Sequence, residues 1–153
     1  MVGNSELLDA ADARLARLVM AAGEIVDLYV IETSRSLDRQ RAYVSRGVSK
    51  TLRSGHIVLP KAKAVDLGPM DSDRAMRTDH PRYEFALGRV IGVIEALTTL
   101  PEFKDVKVRM GWDFNGNKKF DDAFFDGAHI EIAGYKLEPD TRWPFATSSN
   151  VSS

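Results

Sequence analysis

At 153 residues, 44% hydrophobic and 28% charged, the chain has the size and composition of one folded domain with a buried core, not of a disordered segment. Its net charge of -1 gives no general attraction to nucleic acid or an anionic membrane, and no apolar run approaches the length needed to cross a bilayer. Without cysteine there are no disulfides or thiolate metal sites, so any metal must be held by Asp, Glu or the three histidines, His56, His80 and His129.

Residues 1–5 lack the basic start and apolar run of a signal peptide, which predicts synthesis in the cytoplasm. Leu7, Leu8, Ala11, Leu15, Leu18, Val19 and Ala22 recur at three- and four-residue steps. They predict one helix, capped by Asn4 or Ser5 and ended by Gly23. From Glu24 to Glu32 only Asp27 interrupts the apolar residues, which predicts a strand buried on both faces. Ser36 is placed to cap a helix over Leu37–Arg46 that stops at Gly47.

Residues 45–63 are polar and broken by glycine and proline, which predicts a long loop around His56. Ala64-Val65-Asp66-Leu67 follows as a short strand, and residues 70–80 are charged and loop-like. Pro81 opens the strongest helical periodicity, Tyr83, Ala86, Leu87, Val90, Ile91, Ile94 and Leu97, which Pro101 closes. His80, just before that proline, is expected at the helix start and not on a metal. Val106, Val108 and Met110 alternate with charges as a strand, and a turn through Asn115-Gly116-Asn117 leads to a strand around His129.

The element order predicts an α+β fold in a single domain, a small, mainly antiparallel sheet with helices packed on it. That domain is expected to span 1–146, with 147–153 a flexible tail.

In the His129 strand, Ile130 and Ile132 alternate with His129 and Glu131, so one face is polar, and Asp126 lies three residues before His129. An edge strand with these side chains in solvent would show the same alternation. Together, however, His56, Asp66 and His129 offer two imidazole nitrogens and a carboxylate oxygen, a set that zinc accepts while keeping a fourth position for water. Asp66 as a helix or turn cap is the alternative. A general base is still required, and Asp126 is placed for it. Glu131 is its rival and is expected instead to support His129 from behind. Asp113, Asn115, Asn117, Asp121 and Asp122 form an oxygen-rich loop for which Ca2+ is a possible cofactor, although Gly116 and Phe124 depart from the EF-hand spacing. Trp112 is a candidate for the substrate cleft or for the core.

Ser54-Gly55-His56, Ala64-Val65-Asp66 and Asp126-Gly127-Ala128-His129 resemble the Ser-x-His, Ala-x-Asp and Asp/Glu-x-x-His segments of one family of zinc peptidases. That family includes bacterial D-Ala-D-Ala carboxypeptidases and phage L-alanyl-D-glutamate peptidases (endolysins). Thr33-Ser34-Arg35-Ser36 with Gln40 is similar to the family's Arg-Ser…Gln turn, and Gly47-Val48-Ser49 to its Gly-x-Ser stretch.

The resemblance implies a Zn2+ peptidase acting on the peptide stem of bacterial peptidoglycan, with Arg35 steadying the substrate carbonyl. Ser54 and Gln40 would support the site or the substrate. It further implies a monomer made in the host cytoplasm and released through a permeabilised membrane. A D-Ala-D-Ala carboxypeptidase, or a wall-binding or virion module without catalysis, remains the alternative. One departure stands out. The family spaces its first His and its Asp by seven residues, whereas His56 and Asp66 are ten apart, with Leu59-Pro60-Lys61 in the gap.

Overall fold

The computed structural model describes residues 1–58, 60–120, 122 and 125–135; the expected tail and the boundary at 146 lie outside these. Strand β1 (Val2–Gly3) precedes a 3-10 turn over Ser5–Ala10 and helix α1 (Ala13–Gly23). Strand β2 (Leu28–Glu32) and helix α2 (Leu37–Ser45) follow. Strands β3 (Ala64–Asp71) and β4 (Arg74–Ala75) form a hairpin that leads to helix α3 (Tyr83–Thr98), and β5 (Val108–Met110) and β6 (His129–Ile132) complete the set.

The strands make one sheet in the order β1-β2-β3-β6-β5, with β4 paired to β3. Every pairing is antiparallel except β1 with β2, as the α+β expectation required. Leu15, Leu18 and Val19 of α1, and Val90, Ile91 and Ile94 of α3, pack against Leu28, Val30, Val65, Leu67, Ile130 and Ile132 of the sheet. The site lies on the sheet's other face, under α2 and the loop around His56.

Several expectations need correction. The single N-terminal helix is two pieces, because Asp12 starts a new one: its carboxylate accepts from the Arg14 N–H at 2.9 Å. The backbone on either side is already engaged, with Asp12 N–H donating to Ala62 O and Ala62 N–H to Ala10 O, both at 2.8 Å. The strand predicted from Glu24 begins only at Leu28 and is buried on one face; Ile25 and Ile31 are 61% and 49% exposed. The chain segment at 64–67 extends to Asp71, and the predicted loop after it holds the β4 hairpin, because Met70 and Asp71 pair with Ala75 and Arg74.

Other elements match. Ser36 caps α2 by accepting from Arg39 N–H at 3.2 Å, and Gly47 ends it with φ +71, a conformation side chains resist. His80 Nδ1 accepts from Arg82 N–H at 3.1 Å, the helix-start role expected of it.

Candidate metal centre and active site

The sheet register assembles the site. Asp66 of β3 sits directly opposite His129 of β6, and Glu131 of β6 opposite Arg109 of β5, all on one face. On the other side of β3, the β2 register shifts between Val30 and Glu32, which brings Glu32 opposite Asp66. A bulge of this kind re-aims one side chain without breaking the sheet. His56 comes from the 3-10 turn Gly55–Ile57, whose start Ser54 caps by accepting from His56 N–H at 3.3 Å.

The ten-residue excursion between His56 and Asp66 is closed at its neck. Lys63 N–H donates to Gly55 O, and Ile132 N–H to Lys63 O, both at 2.8 Å. The longer loop therefore leaves both side chains beside His129.

Three ligand atoms converge. His56 Nε2 lies 3.2 Å from Asp66 Oδ1, His129 Nδ1 lies 3.0 Å from the same oxygen, and the two nitrogens are 3.3 Å apart. The outward nitrogens have fixed partners: His56 Nδ1–H donates to Thr33 O at 2.5 Å, and His129 Nε2–H to Glu131 Oε2 at 3.1 Å. In the neutral imidazoles the inward nitrogens thus carry lone pairs. Two lone pairs and a carboxylate facing one another repel unless a cation or proton lies between them. Ligands at ~2.0–2.1 Å in a tetrahedron are ~3.3 Å apart, so the trio fits one face of a zinc coordination shell. Among the described residues this is the one group of three His, Asp or Glu side chains arranged to hold a metal.

The electrostatics agree. Burial opposes the charged form of His129, but the Asp66 and Glu131 hydrogen bonds outweigh it and raise its pKa to about 9. Burial also works against ionised Asp66, yet His129 and His56 hold its carboxyl well below the ordinary carboxylate range. Without a metal the cluster attracts a proton; a bound cation would take that proton's place.

The surrounding groups are braced in turn. Arg35 is buried and donates to Glu32 through Nε at 3.0 Å, and to Gln40 Oε1 at 2.5 Å. Its guanidinium lies 3.7 Å from Asp66 Oδ2, so it offsets both neighbouring carboxylates. Gln40, fully buried, donates to Ser49 Oγ at 2.8 Å and Thr51 O at 2.6 Å, which pins the loop above the site. Asp126 lines the same cavity, of about 500 Å3. Its pKa is raised, by burial first and then by the Asp66 charge. The Asp126 backbone is clamped to Gly111: Asp126 N–H donates to Gly111 O at 2.9 Å, and Gly111 N–H to His129 O at 2.7 Å.

Two expected groups lie elsewhere. Trp112 packs against the core and lines a separate apolar groove with Leu87, Ile91 and Phe120, so it is not part of this cavity. In the oxygen-rich loop, Asn115 Oδ1 accepts from Asn117 N–H and Asn117 Oδ1 from Lys119 N–H. Asp113 Oδ1 accepts from Lys118 N–H, with the Lys118 ammonium 3.3 Å from its other oxygen. These oxygens serve the loop's own backbone and a lysine, and the described residues do not gather them around a cation. Asp121 lies outside the described residues.

Sequence reasoning missed Glu32, Arg109, Tyr43 and Tyr135. Arg109 pairs with Glu131, the Arg35 guanidinium lies 4.5 Å over the Tyr43 ring, and Tyr135 lines the cavity. The alternation of β2 carried a signal for Glu32, but the bulge that turns it inward is invisible without the register.

A convergent His-Asp-His trio beside a half-buried carboxylate and a braced guanidinium has the make-up of a hydrolytic site that could hold a metal. A family model for phage L-alanyl-D-glutamate peptidases matches residues 3–133, and the chain belongs to that family. A search of curated proteins finds no match. Among solved structures, the chain is similar to the Serratia marcescens L-Ala D-Glu endopeptidase ChiX, with 26% identity and a TM-score of 0.62. That likeness covers 83% of this chain and 84% of the other.

Proposed function

We propose that the protein is a zinc-dependent endopeptidase that hydrolyses the L-alanyl–D-glutamate bond in the peptide stem of bacterial peptidoglycan, as a phage endolysin. The observation that carries this reading is the convergence of His56 Nε2, Asp66 Oδ1 and His129 Nδ1 in a cavity also lined by Asp126. Zinc suits a two-nitrogen, one-oxygen set and, when bound, supplies a Lewis acid that polarises a carbonyl and acidifies water.

The chain's own residues do the rest. Asp126 takes the proton from the attacking water and passes it to the leaving amine, a task its raised pKa favours. Arg35, held in place by Glu32 and Gln40, faces the negative charge that develops on the carbonyl oxygen. Glu131 fixes the His129 ring so that Nδ1 points inward.

Digestion of purified peptidoglycan tests the reading, with fragments identified by mass. New amino-terminal D-glutamyl fragments are expected. Release of free D-alanine instead would establish the carboxypeptidase alternative, and an undigested wall would leave a binding module. The reading also places synthesis in the host cytoplasm: expressed alone, the protein should leave cells intact, and added to permeabilised Gram-negative cells it should clear them.

A further inference from the structure

The cavity around the metal trio is lined by five cationic side chains, Arg35, Arg39, Lys50, Arg53 and Arg109. Three of them are committed. Arg35 and Arg39 lie against Glu32, and Arg109 against Glu131. Lys50 and Arg53 are exposed at the cavity wall, and neither makes an ion pair among the described residues. They are nonetheless held in position, because Gln40 holds the chain on either side of Lys50, at Ser49 Oγ and Thr51 O, and Arg53 N–H donates to Thr51 Oγ1 at 2.8 Å. Arg53 adjoins Ser54, the cap of the turn that delivers His56. Four carboxylates, Glu32, Asp66, Asp126 and Glu131, face these five cations, which leaves an excess of one positive charge, and a divalent metal would add to it.

We propose that Arg53, with Lys50, reads the free carboxylate of the glutamyl residue on the leaving side of the scissile bond. This rests on the peptidase reading above. A glutamyl residue joined through its nitrogen has two carboxyl groups, and only one can continue the chain. The other stays as an anion a few bonds from the scissile nitrogen, in the cavity that Arg53 and Lys50 line together with the His-Asp-His trio. A guanidinium and an ammonium without protein partners match that anion, whereas its neutral carboxamide would leave both cations facing an uncharged group. The enzyme therefore discriminates between walls whose stem glutamate is free and walls where it is amidated.

Two stem fragments differing only in that carboxylate or carboxamide provide the test, with kcat and KM measured separately. The wild-type enzyme should favour the carboxylate by about tenfold or more, mainly in KM, the size of effect expected for a hydrogen bond to a charged group. The double variant Arg53→Gln/Lys50→Gln should lose this preference while keeping its metal content and melting temperature, and Arg53→Lys should retain part of it. Equal cleavage of both fragments by the wild type, or an undiminished preference in the double variant, would overturn the assignment. Failure of the wild type to cut either fragment would instead remove the peptidase reading on which it rests.

Discussion

Asp126 and Glu131 flank His129 in sequence but stand differently to it. The Asp126 side chain shares the cavity with the His129 ring, whereas Glu131 accepts from the far side of the imidazole. Asp126→Asn should keep the fold and the metal and lose ~10²–10⁴-fold in hydrolysis, the contribution typical of a positioned acid/base. Glu131→Gln should weaken metal binding, by ~10–100-fold, because the ring loses the carboxylate that orients it. Metal analysis alongside peptidoglycan turnover separates the two; reversed phenotypes would mean that the base is misassigned. The trio itself was legible because a cysteine-free chain with three histidines has few ways to build a metal site, and two of them sit in spaced segments with carboxylates. Arg109 and Glu32 were not, because a charge on a short strand looks solvated until its cross-strand neighbour is known. The structure gives them Glu131 and Arg35 as partners.

At the scale of elements, the break before α1 shows where periodicity misleads. The apolar stripe runs through Ala11 without interruption, so only the local chemistry of Asp12 announces a new start. The Arg14 guanidinium, and then the Lys63 ammonium, hold the Asp12 carboxyl well below its ordinary value of 3.8. Its contribution to stability is therefore complete above that value and is lost as pH falls from there towards the lower, folded-state pKa. Asp12→Asn keeps a capping oxygen and removes the charge. The stability gap between it and the wild type, read from urea midpoints, should be widest near neutrality and close below pH 3.8. Asp12→Ala should cost about 0.5–2 kcal/mol more broadly, through the lost cap. Gly111 tests the other end of the site: a Cβ there would lie 1.8 Å from Asp126 O. Gly111→Ala should push the Asp126 turn outward and cost ~1–3 kcal/mol by overpacking, with turnover falling further than the melting temperature implies.

For the whole molecule, the His-Asp-His trio joins strands and loops that are far apart along the chain: His56 and His129 are separated by 73 residues. A metal bound by the trio would tie them together, so its binding energy would add to folding energy. Zinc at a thousandfold excess over its Kd should raise stability by about 4 kcal/mol, and a chelator should reverse the rise in melting temperature. His129→Ala should show no such increment. The architecture was legible as helices on a mainly antiparallel sheet, but the strand order was not. Sequence places β5 before β6, and only long-range pairing puts β6 between β3 and β5.

That insertion bears on how the protein is made. A chain halted on the ribosome before residue 129 already holds His56 and Asp66, but it lacks His129 and has a gap between β3 and β5 where β6 belongs. Neither the metal site nor the sheet can close until β6, the last of the described strands, has emerged. Translation thus completes sheet and site together at the end, and a product truncated before residue 129 should show no peptidoglycan turnover.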